Sequence, residues 1–285
     1  MTDQAQALRE MAKTKGKDPA RIITVTSGKG GVGKSSLALN MAISLSRMGR
    51  RPLIVDSDFG FSNIDVMLGV STRFDLTDVL EKRVDMRGII EQGLERVQFI
   101  SGGSGVYELT KLSGDQIGEI AEELTALEDV ADTIIFDTGA GVSDAILRLV
   151  CASQQTVIVT TPEPTAVVDA YAMIKIISER VENPAVSLVV NKAANPREAL
   201  SVMNGIISIT KKNLGLSVGS LGFILNDDSM KKAIKMQVPL LVSFPQSAAS
   251  LNIDEIAGRF LRRSAEHKAR GVLRFLNRLA DTRDA

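Results

Sequence analysis

The stretch SGKGGVGKSS, residues Ser27 to Ser36, follows a run of β-branched residues and precedes a helical pattern. A glycine-rich loop between a strand and a helix can wrap closely around a phosphate group, because glycine adopts conformations that a side chain would forbid. Successive backbone amides and the N-terminus of the following helix then point at the anion. The stretch therefore predicts a phosphate-binding loop. The residues assigned to it are Gly28, Lys29, Gly30, Gly31, Val32, Gly33, Lys34, Ser35 and Ser36.

Individual side chains of the loop have distinct expected roles. Lys34 is placed to neutralise β- and γ-phosphate oxygens, Ser35 to supply a hydroxyl to Mg²⁺, and Ser36 to reach the α-phosphate. A glycine-rich turn with no ligand is the alternative, but the complete GxxxxGK(S/T) pattern between a strand and a helix argues against it. Lys29 is unexpected, since an ordinary loop of this kind needs no charge there. A solvated loop lysine is the alternative for that residue.

Short β-branched runs alternate with longer helical patterns along the chain. The runs are nearly continuous in apolar residues, as expected of parallel strands that are buried on both faces. Repeated strand–helix–strand units indicate an α/β fold, a mostly parallel twisted sheet covered by helices on both faces. The predicted strands are Arg21–Ser27, Pro52–Asp56, Val97–Ser101, Thr133–Asp137, Thr156–Thr160, Ser187–Asn191 and Val218–Ile224. The clearest predicted helices are Ser35–Met48, Asp115–Leu127 and Val167–Val181.

The composition is that of an ordinary folded protein. The chain has 285 residues, of which 44% are hydrophobic and 24% charged, and this is enough for one large α/β domain. With 34 basic and 34 acidic residues, any contact with nucleic acid or membrane must come from a local patch. The single cysteine, Cys151, cannot form an internal disulfide and favours a reducing compartment. We find neither a signal peptide nor an apolar stretch of about 18 residues, so we expect a cytoplasmic protein.

The phosphate loop and two later segments carry a family resemblance. GKGGVGKSS, with both lysines, resembles the deviant Walker A motif of the MinD/ParA group of ATPases. VDSDFGFSNID (Val55–Asp65) is similar to the first switch of that group, and IIFDTGAGVSD (Ile134–Asp144) to its Walker B strand and second switch. Together these segments cover most of residues 21–262. The resemblance implies ATP and ADP as ligands, Mg²⁺ as cofactor, and a homodimer in which Lys29 reaches across the interface to the partner's nucleotide.

Acidic residues at strand ends complete the candidate site. Asp137 ends an apolar strand at the edge where ligands of open α/β sheets bind. A bare carboxylate there needs a cation, so we expect it to hold Mg²⁺ through water. By resemblance, Asp58 orients the attacking water and is catalytic together with the two loop lysines. Asp56 could support Mg²⁺ indirectly, from outside the groups that bind the ion, although either Asp56 or Asp58 could instead be a capping residue. The resemblance also places Asn191 beside the adenine.

The first residues, MTDQAQALRE, precede the predicted ATPase domain. Asp3 could cap a short helix, and Ala5 and Leu8 would then share a small apolar face suited to another protein's groove. A disordered start fits the same residues. DQAQALR, which contributes Asp3, Gln4, Ala5, Leu8 and Arg9, resembles the DQAxxLR element of the FlhG family of flagellar-number ATPases, also called FleN or YlxH. The resemblance implies that this segment binds the signal-recognition-type GTPase FlhF and stimulates its GTP hydrolysis.

The last helical pattern, RGVLRFLNRLA (Arg270–Ala280), is amphipathic. Its apolar positions are Val272, Phe275, Leu276 and Leu279, and arginines recur at every fourth position on the other face. Such a helix can lie in an anionic membrane surface. The family resemblance favours this interpretation and implies a reversible, peripheral position on the inner face of the cytoplasmic membrane. A C-terminal helix packed on its own domain has the same period.

These segments divide the chain into three predicted parts. They are a partner-activating extension (1–20), an ATPase domain (21–262) and a membrane-targeting helix (263–285). Together they predict a Mg²⁺-dependent, dimer-activated ATPase that controls the number or placement of flagella. By resemblance its partners are the FlhF-type GTPase, the ring proteins of the flagellar switch and, in some relatives, a flagellar transcription regulator.

Other functions are compatible with the same residues. A MinD-like division-site ATPase shares the core and the tail but has no use for DQAQALR. A ParA-like partition ATPase would bind DNA through a basic surface, with an affinity that falls steeply with salt. The neutral net charge and the apolar face of the tail argue against direct DNA binding. The chain could also act mainly as a binding module that stimulates a partner GTPase, with ATP turnover secondary.

Overall fold

In the computed structural model, the described residues are 19–58, 63–102, 104–265 and 269–281. The described strands form one sheet in the order β3-β4-β2-β5-β1-β6-β7-β8. Their bounds are β1 (Arg21–Ser27), β2 (Pro52–Ser57), β3 (Glu91–Gln92), β4 (Gln98–Ser101), β5 (Thr133–Ala140), β6 (Gln155–Thr160), β7 (Val186–Ala193) and β8 (Gly219–Leu225).

The sheet is parallel except at one edge. β1 lies at the centre between β5 and β6, and all neighbouring strands pair in parallel apart from β3, which pairs antiparallel with β4. The predicted α/β sheet is therefore confirmed, and each predicted strand lies within a few residues of an observed one. β3 was not predicted, because its two polar residues carry no apolar pattern.

Helices cover both faces of this sheet. The longer ones are α1 (Lys34–Arg47), α5 (Gly114–Thr125), α7 (Asp144–Ala152), α8 (Pro164–Arg180), α9 (Pro196–Leu214), α10 (Asp228–Met236), α12 (Ala248–Ala265) and α13 (Gly271–Asp281). The shorter ones are α2 (Ile64–Leu68), α3 (Leu76–Leu80), α4 (Gly105–Lys111), α6 (Leu127–Val130) and α11 (Leu240–Ser243), with 3₁₀ turns at Met86–Ile89 and Leu94–Arg96.

Alternating strand residues send their side chains into separate apolar clusters. Ile22 and Ile134 belong to a cluster that includes α5 and α13, whereas their neighbours Ile23 and Ile135 belong to a cluster built with α1 and α12. A third cluster holds β6 and β7 against α8 and α9. Burial on both faces explains why these strands are apolar throughout.

The C-terminal helix α13 packs on its own domain. Val272, Phe275, Leu276 and Leu279 are each 3% exposed or less. The Phe275 ring stacks on Phe136 of β5, with 5.0 Å between ring centroids. This is the packed arrangement that the helical period left open. The predicted boundary after residue 262 also falls inside α12, which continues to Ala265.

Backbone contacts fix the start of α13. Glu128 Oε1 accepts hydrogen bonds from the backbone amides of Val272 (2.7 Å) and Ala20 (3.3 Å). The amide of Gly271 donates to the carbonyl of Ala20 at 3.1 Å. The docked helix is thus joined to the segment that enters β1. The predicted partner-binding residues Asp3–Arg9 lie outside the described residues.

Candidate functional site

The glycine-rich loop connects the carboxyl end of β1 to the start of α1. Gly31 and Gly33 have φ angles of +76° and +93°, in the left-handed region where a side chain is strained. A Cβ on Gly33 would also collide with the side-chain amide of Asn191. The loop therefore needs glycine at 33 for two reasons, its backbone conformation and the close approach of β7.

Residues of β7 donate hydrogen bonds to the backbone of the loop. Asn191 Nδ2 donates to the carbonyl of Val32 at 2.8 Å, and Asn191 Oδ1 accepts from the amide of Lys192 at 2.8 Å. Lys192 Nζ donates to the carbonyl of Gly31 at 2.7 Å. The structure thus engages the Asn191 amide with backbone groups, and its contact with adenine stays a prediction. The Lys192 tether was missed, since no local pattern marks a contact across 161 residues.

We expect Asn191→Ala to weaken ADP binding about tenfold, because it leaves the buried Val32 carbonyl without its donor and frees the loop. Titration calorimetry with ADP measures the change. Asn195→Ala is the matched control: Asn195 caps α9 by accepting from the Glu198 amide, so its loss costs about 1 kcal/mol of stability without touching the loop. Equal ADP affinity in wild type and Asn191→Ala would contradict the tether.

A charged cluster lies at the start of α1. Lys34 Nζ is 3.3 Å from Ser35 Oγ, 3.5 Å from Asp58 Oδ2 and 4.0 Å from Asp137 Oδ1. The Lys34 side chain is 10% exposed, so its charge acts in a poorly hydrated site where electrostatic interactions are strong. The structure thus brings together four predicted site residues from three separate segments of the chain.

Asp137 is the most unusual member of the cluster. Its side chain is fully buried, and neither carboxylate oxygen accepts a hydrogen bond from the described residues. Burial raises the pKa of Asp137 to about 7, against the opposing influence of the Lys34 ammonium. A buried carboxylate with unused oxygens needs a cation. Hard oxygen ligands beside a phosphate loop fit Mg²⁺, so Asp137 and the Ser35 hydroxyl are suited to hold it.

Asp56 and Asp58 have different surroundings. Asp56 accepts from the backbone amides of Asn63 (2.7 Å), Ile64 (3.0 Å) and Asp58 (3.1 Å). These bonds support the capping alternative, and support of Mg²⁺ by Asp56 stays a prediction. Asp58 Oδ2 accepts from Asn63 Nδ2 at 3.1 Å, and its side chain is 26% exposed. Asp58 is therefore the carboxylate of this cluster that solvent reaches.

Lys29 differs from Lys34 in its exposure. Its side chain is 39% exposed, and Nζ contacts Glu163 Oε2 at 2.7 Å and Thr165 Oγ1 at 3.0 Å, at the start of α8. The Lys29 ammonium holds the pKa of Glu163 below its usual range. Exposed ion pairs of this kind are weak, about 0–1 kcal/mol. Lys29 can therefore leave Glu163 at little cost.

Comparison with known proteins agrees with this geometry. A ParA family model, described as a NUBPL iron-transfer P-loop NTPase, matches residues 18–261. The chain is 32% identical over 257 residues to the antiactivator FleN of Pseudomonas aeruginosa, covering 90% of this chain and 92% of FleN. It is 32% identical over 292 residues to the flagellum site-determining protein YlxH of Helicobacter pylori, covering 98% of each.

A solved structure supports the same fold. The septum site-determining protein MinD from Pyrococcus horikoshii, complexed with Mg-ADP, aligns with a TM-score of 0.68 at 22% identity, over 87% of this chain and 98% of that one. Within residues 19–58, 63–102, 104–265 and 269–281, no helix has the length and apolar character needed to cross a bilayer. The family model and the two flagellar relatives confirm the resemblance seen in the motifs. The chain belongs to the ParA/MinD family of P-loop NTPases.

Proposed function

We propose that this protein is an ATP-hydrolysing switch that dimerises with ATP bound and controls the number or placement of flagella. The observation that carries the proposal is the contrast between two lysines of one phosphate loop. Lys34 is buried beside Asp58 and Asp137, whereas Lys29 is exposed and weakly held. The similarity to FleN and YlxH supports the flagellar role.

Each residue of the site has a separate task in hydrolysis. Phosphoryl transfer depends mainly on positioning and charge, so the loop amides and Lys34 hold the β- and γ-phosphates. Asp137 and Ser35 hold Mg²⁺, which supplies positive charge to the phosphate oxygens when bound. Asp58 orients the attacking water, as its partial exposure permits. Its contact with Lys34 loosens when phosphate takes the Lys34 charge.

Lys29 makes hydrolysis depend on the dimer. In one protomer it rests on Glu163, and in the dimer it contacts the partner's phosphates. A cation beside developing phosphate charge is worth far more in a closed, dry site than in water. Closure of two protomers provides that site, so the monomer hydrolyses ATP slowly.

The flagellar partners follow from the ends of the chain and from the relatives. The segment Asp3–Arg9 binds the FlhF-type GTPase and stimulates it, and flagellar switch-ring proteins are further partners. The description of FleN as an antiactivator supports a flagellar transcription regulator as an additional partner.

Membrane association requires α13 to leave its groove, because its apolar face is buried in this structure. The protein is therefore cytoplasmic with α13 docked and peripheral on the inner face of the membrane with α13 released. One short amphipathic helix binds lipid weakly, and two in a dimer bind far better through their high effective concentration. ATP-driven dimerisation thereby favours the membrane-bound form.

The test of the flagellar role uses the full chain and an FlhF-type GTPase. We expect wild-type protein to stimulate GTP hydrolysis and the double variant Gln4→Ala, Arg9→Ala to lose the stimulation. Its own ATPase activity should be unchanged, because both substitutions precede the ATPase domain. The control variant Lys13→Ala, Lys15→Ala changes the spacer and should stimulate normally. Failure of the wild type with a competent, dimeric GTPase would sink the flagellar proposal and favour a MinD-like placement function.

A further inference from the structure

A cavity of about 650 Å³ lies at the edge of the sheet opposite the phosphate loop. Its lining includes residues at the amino ends of parallel strands: Arg21 of β1, Gln155 of β6, Val186 of β7 and Gly219 of β8. The phosphate loop follows the carboxyl end of β1, so the two sites are separated by the length of the strand. Sites for small molecules typically have volumes of about 300–1,000 Å³.

The described lining of this cavity is strongly basic. It holds four arginines, Arg21, Arg263, Arg270 and Arg278, and a single acidic residue, Glu182. Burial, followed by the charge of Arg270, lowers the pKa of Arg278. The charge of Arg270 therefore opposes the charge of Arg278, and an anion between the two side chains would relieve that repulsion.

Neighbouring groups orient the arginines and add polar contacts. Arg278 Nη1 donates to the carbonyl of Ser153 at 3.2 Å. A Cβ on Gly219 would collide with the guanidinium of Arg263, so glycine leaves space for that group. The Ser187 hydroxyl, which accepts from Gln155 Nε2 at 3.1 Å, also lines the cavity. Charged forks and a hydroxyl therefore converge on one space.

From this convergence we infer that the cavity binds a small phosphate-bearing anion. Guanidinium groups present N–H donors in a planar fork that matches the oxygens of a phosphate. The arginines that line the space belong to β1, to α12, to the residue just before α13 and to α13 itself. A group with several acceptor oxygens can engage more than one of them. The source of the phosphate is either a soluble compound or a lipid headgroup. The site does not depend on the proposed function.

Occupancy of the cavity is coupled to the docking of α13. Arg270 immediately precedes this helix and Arg278 lies on it, so the cavity is complete only while α13 is docked. A ligand that binds one arrangement of a protein stabilises that arrangement. A soluble phosphate compound would therefore oppose the release of α13.

Inorganic phosphate, added to the full chain saturated with Mg-ADP, is the first probe. ADP occupies the phosphate loop, and chloride keeps the ionic strength constant. We expect saturable binding by calorimetry and a rising melting temperature. Arg270→Gln and Arg278→Gln should each lower the affinity for phosphate about tenfold, because each substitution removes one charged hydrogen bond. Arg274→Gln, on the same helix but outside the cavity lining, should change affinity less than about twofold.

Vesicles distinguish the two sources of phosphate. If a headgroup is the ligand, binding to phosphatidylglycerol vesicles falls in Arg270→Gln and Arg278→Gln more than in Arg274→Gln, and inorganic phosphate competes. If a soluble compound is the ligand, Arg270→Gln and Arg278→Gln lower the affinity for inorganic phosphate more than Arg274→Gln does. Binding to vesicles then falls equally in all three variants. Phosphatidylcholine vesicles are the uncharged control. Melting temperatures without phosphate verify that each variant is folded.

Two results would overturn the inference. One is the absence of saturable phosphate binding together with equal loss of vesicle binding in the three arginine variants. The other is that Arg274→Gln lowers the affinity for phosphate as much as Arg270→Gln does. The attraction would then reflect the net charge of the protein and not the cavity.

Discussion

Lys29→Ala is expected to lower ATP hydrolysis about 1,000-fold while ADP affinity stays within about twofold. Lys29 is exposed and held by Glu163 and Thr165 of its own protomer, so it contributes little to nucleotide binding in a monomer. In the proposed dimer, its charge acts when the two protomers close and the phosphate oxygens gain negative charge in the transition state. Single-turnover hydrolysis and ADP calorimetry measure the two quantities separately.

Two comparison variants give this result its meaning. Lys34→Ala should lose both hydrolysis and ADP affinity, because Lys34 is buried at the loop itself. Lys175→Ala removes an exposed lysine of α8 that lies 3.9 Å from Glu179 and should change neither. If Lys29→Ala lowers ADP affinity as strongly as Lys34→Ala, then Lys29 contacts the nucleotide of its own protomer and not that of the partner.

Asp137→Asn is expected to have opposite effects on activity and stability. Hydrolysis should fall about 100- to 1,000-fold, since the amide is a poor ligand for Mg²⁺ and weakens charge stabilisation. At neutral pH the nucleotide-free protein in EDTA should become about 1–4 kcal/mol more stable, because burial raises the pKa of Asp137 to about 7, so its ionised form destabilises the folded chain and a neutral amide of the same size does not. Urea unfolding in EDTA measures the free energy, and an ATPase assay measures the rate.

Asp228→Asn is the matched control for this second prediction. Asp228 lies on the surface, where its side chain is 80% exposed and pairs with Lys231, so the substitution should change stability by less than about 0.5 kcal/mol. A drop in the unfolding free energy of Asp137→Asn would show that the carboxylate is satisfied within the folded chain. It would then remove the main structural reason to assign Mg²⁺ to Asp137.

The sheet and the phosphate loop were predictable because their signals are local. β1, the loop and α1 follow one another in residues 21–47, and each has its own apolar or glycine pattern. The convergence of Lys34, Asp58 and Asp137 was also accessible, since the carboxyl ends of neighbouring parallel strands share one edge. Local sequence patterns and sheet geometry were therefore enough to predict the residues around the phosphates.

Other features depend on contacts that no local pattern records. Asp56 caps the start of α2 across an irregular stretch of backbone. Lys192 contacts the carbonyl of Gly31, which is distant in sequence. The pairing of Lys29 with Glu163 spans 134 residues. For α13, the period of Val272, Phe275 and Leu279 is the same on a membrane and on a protein core. Only the tertiary structure shows that the protein's own core covers the apolar face of α13.

Mixing Lys29→Ala with Asp58→Ala protein tests the dimer mechanism most directly. Each variant alone should be inactive. In a mixed dimer, the Lys29→Ala protomer keeps its own Asp58 and receives Lys29 from its partner, so one of the two sites is complete. An equal mixture should recover about a quarter of wild-type hydrolysis, because random pairing makes half of the dimers mixed. No recovery, with mixed dimers shown to form, would contradict the account, because Lys29 would then act within its own protomer.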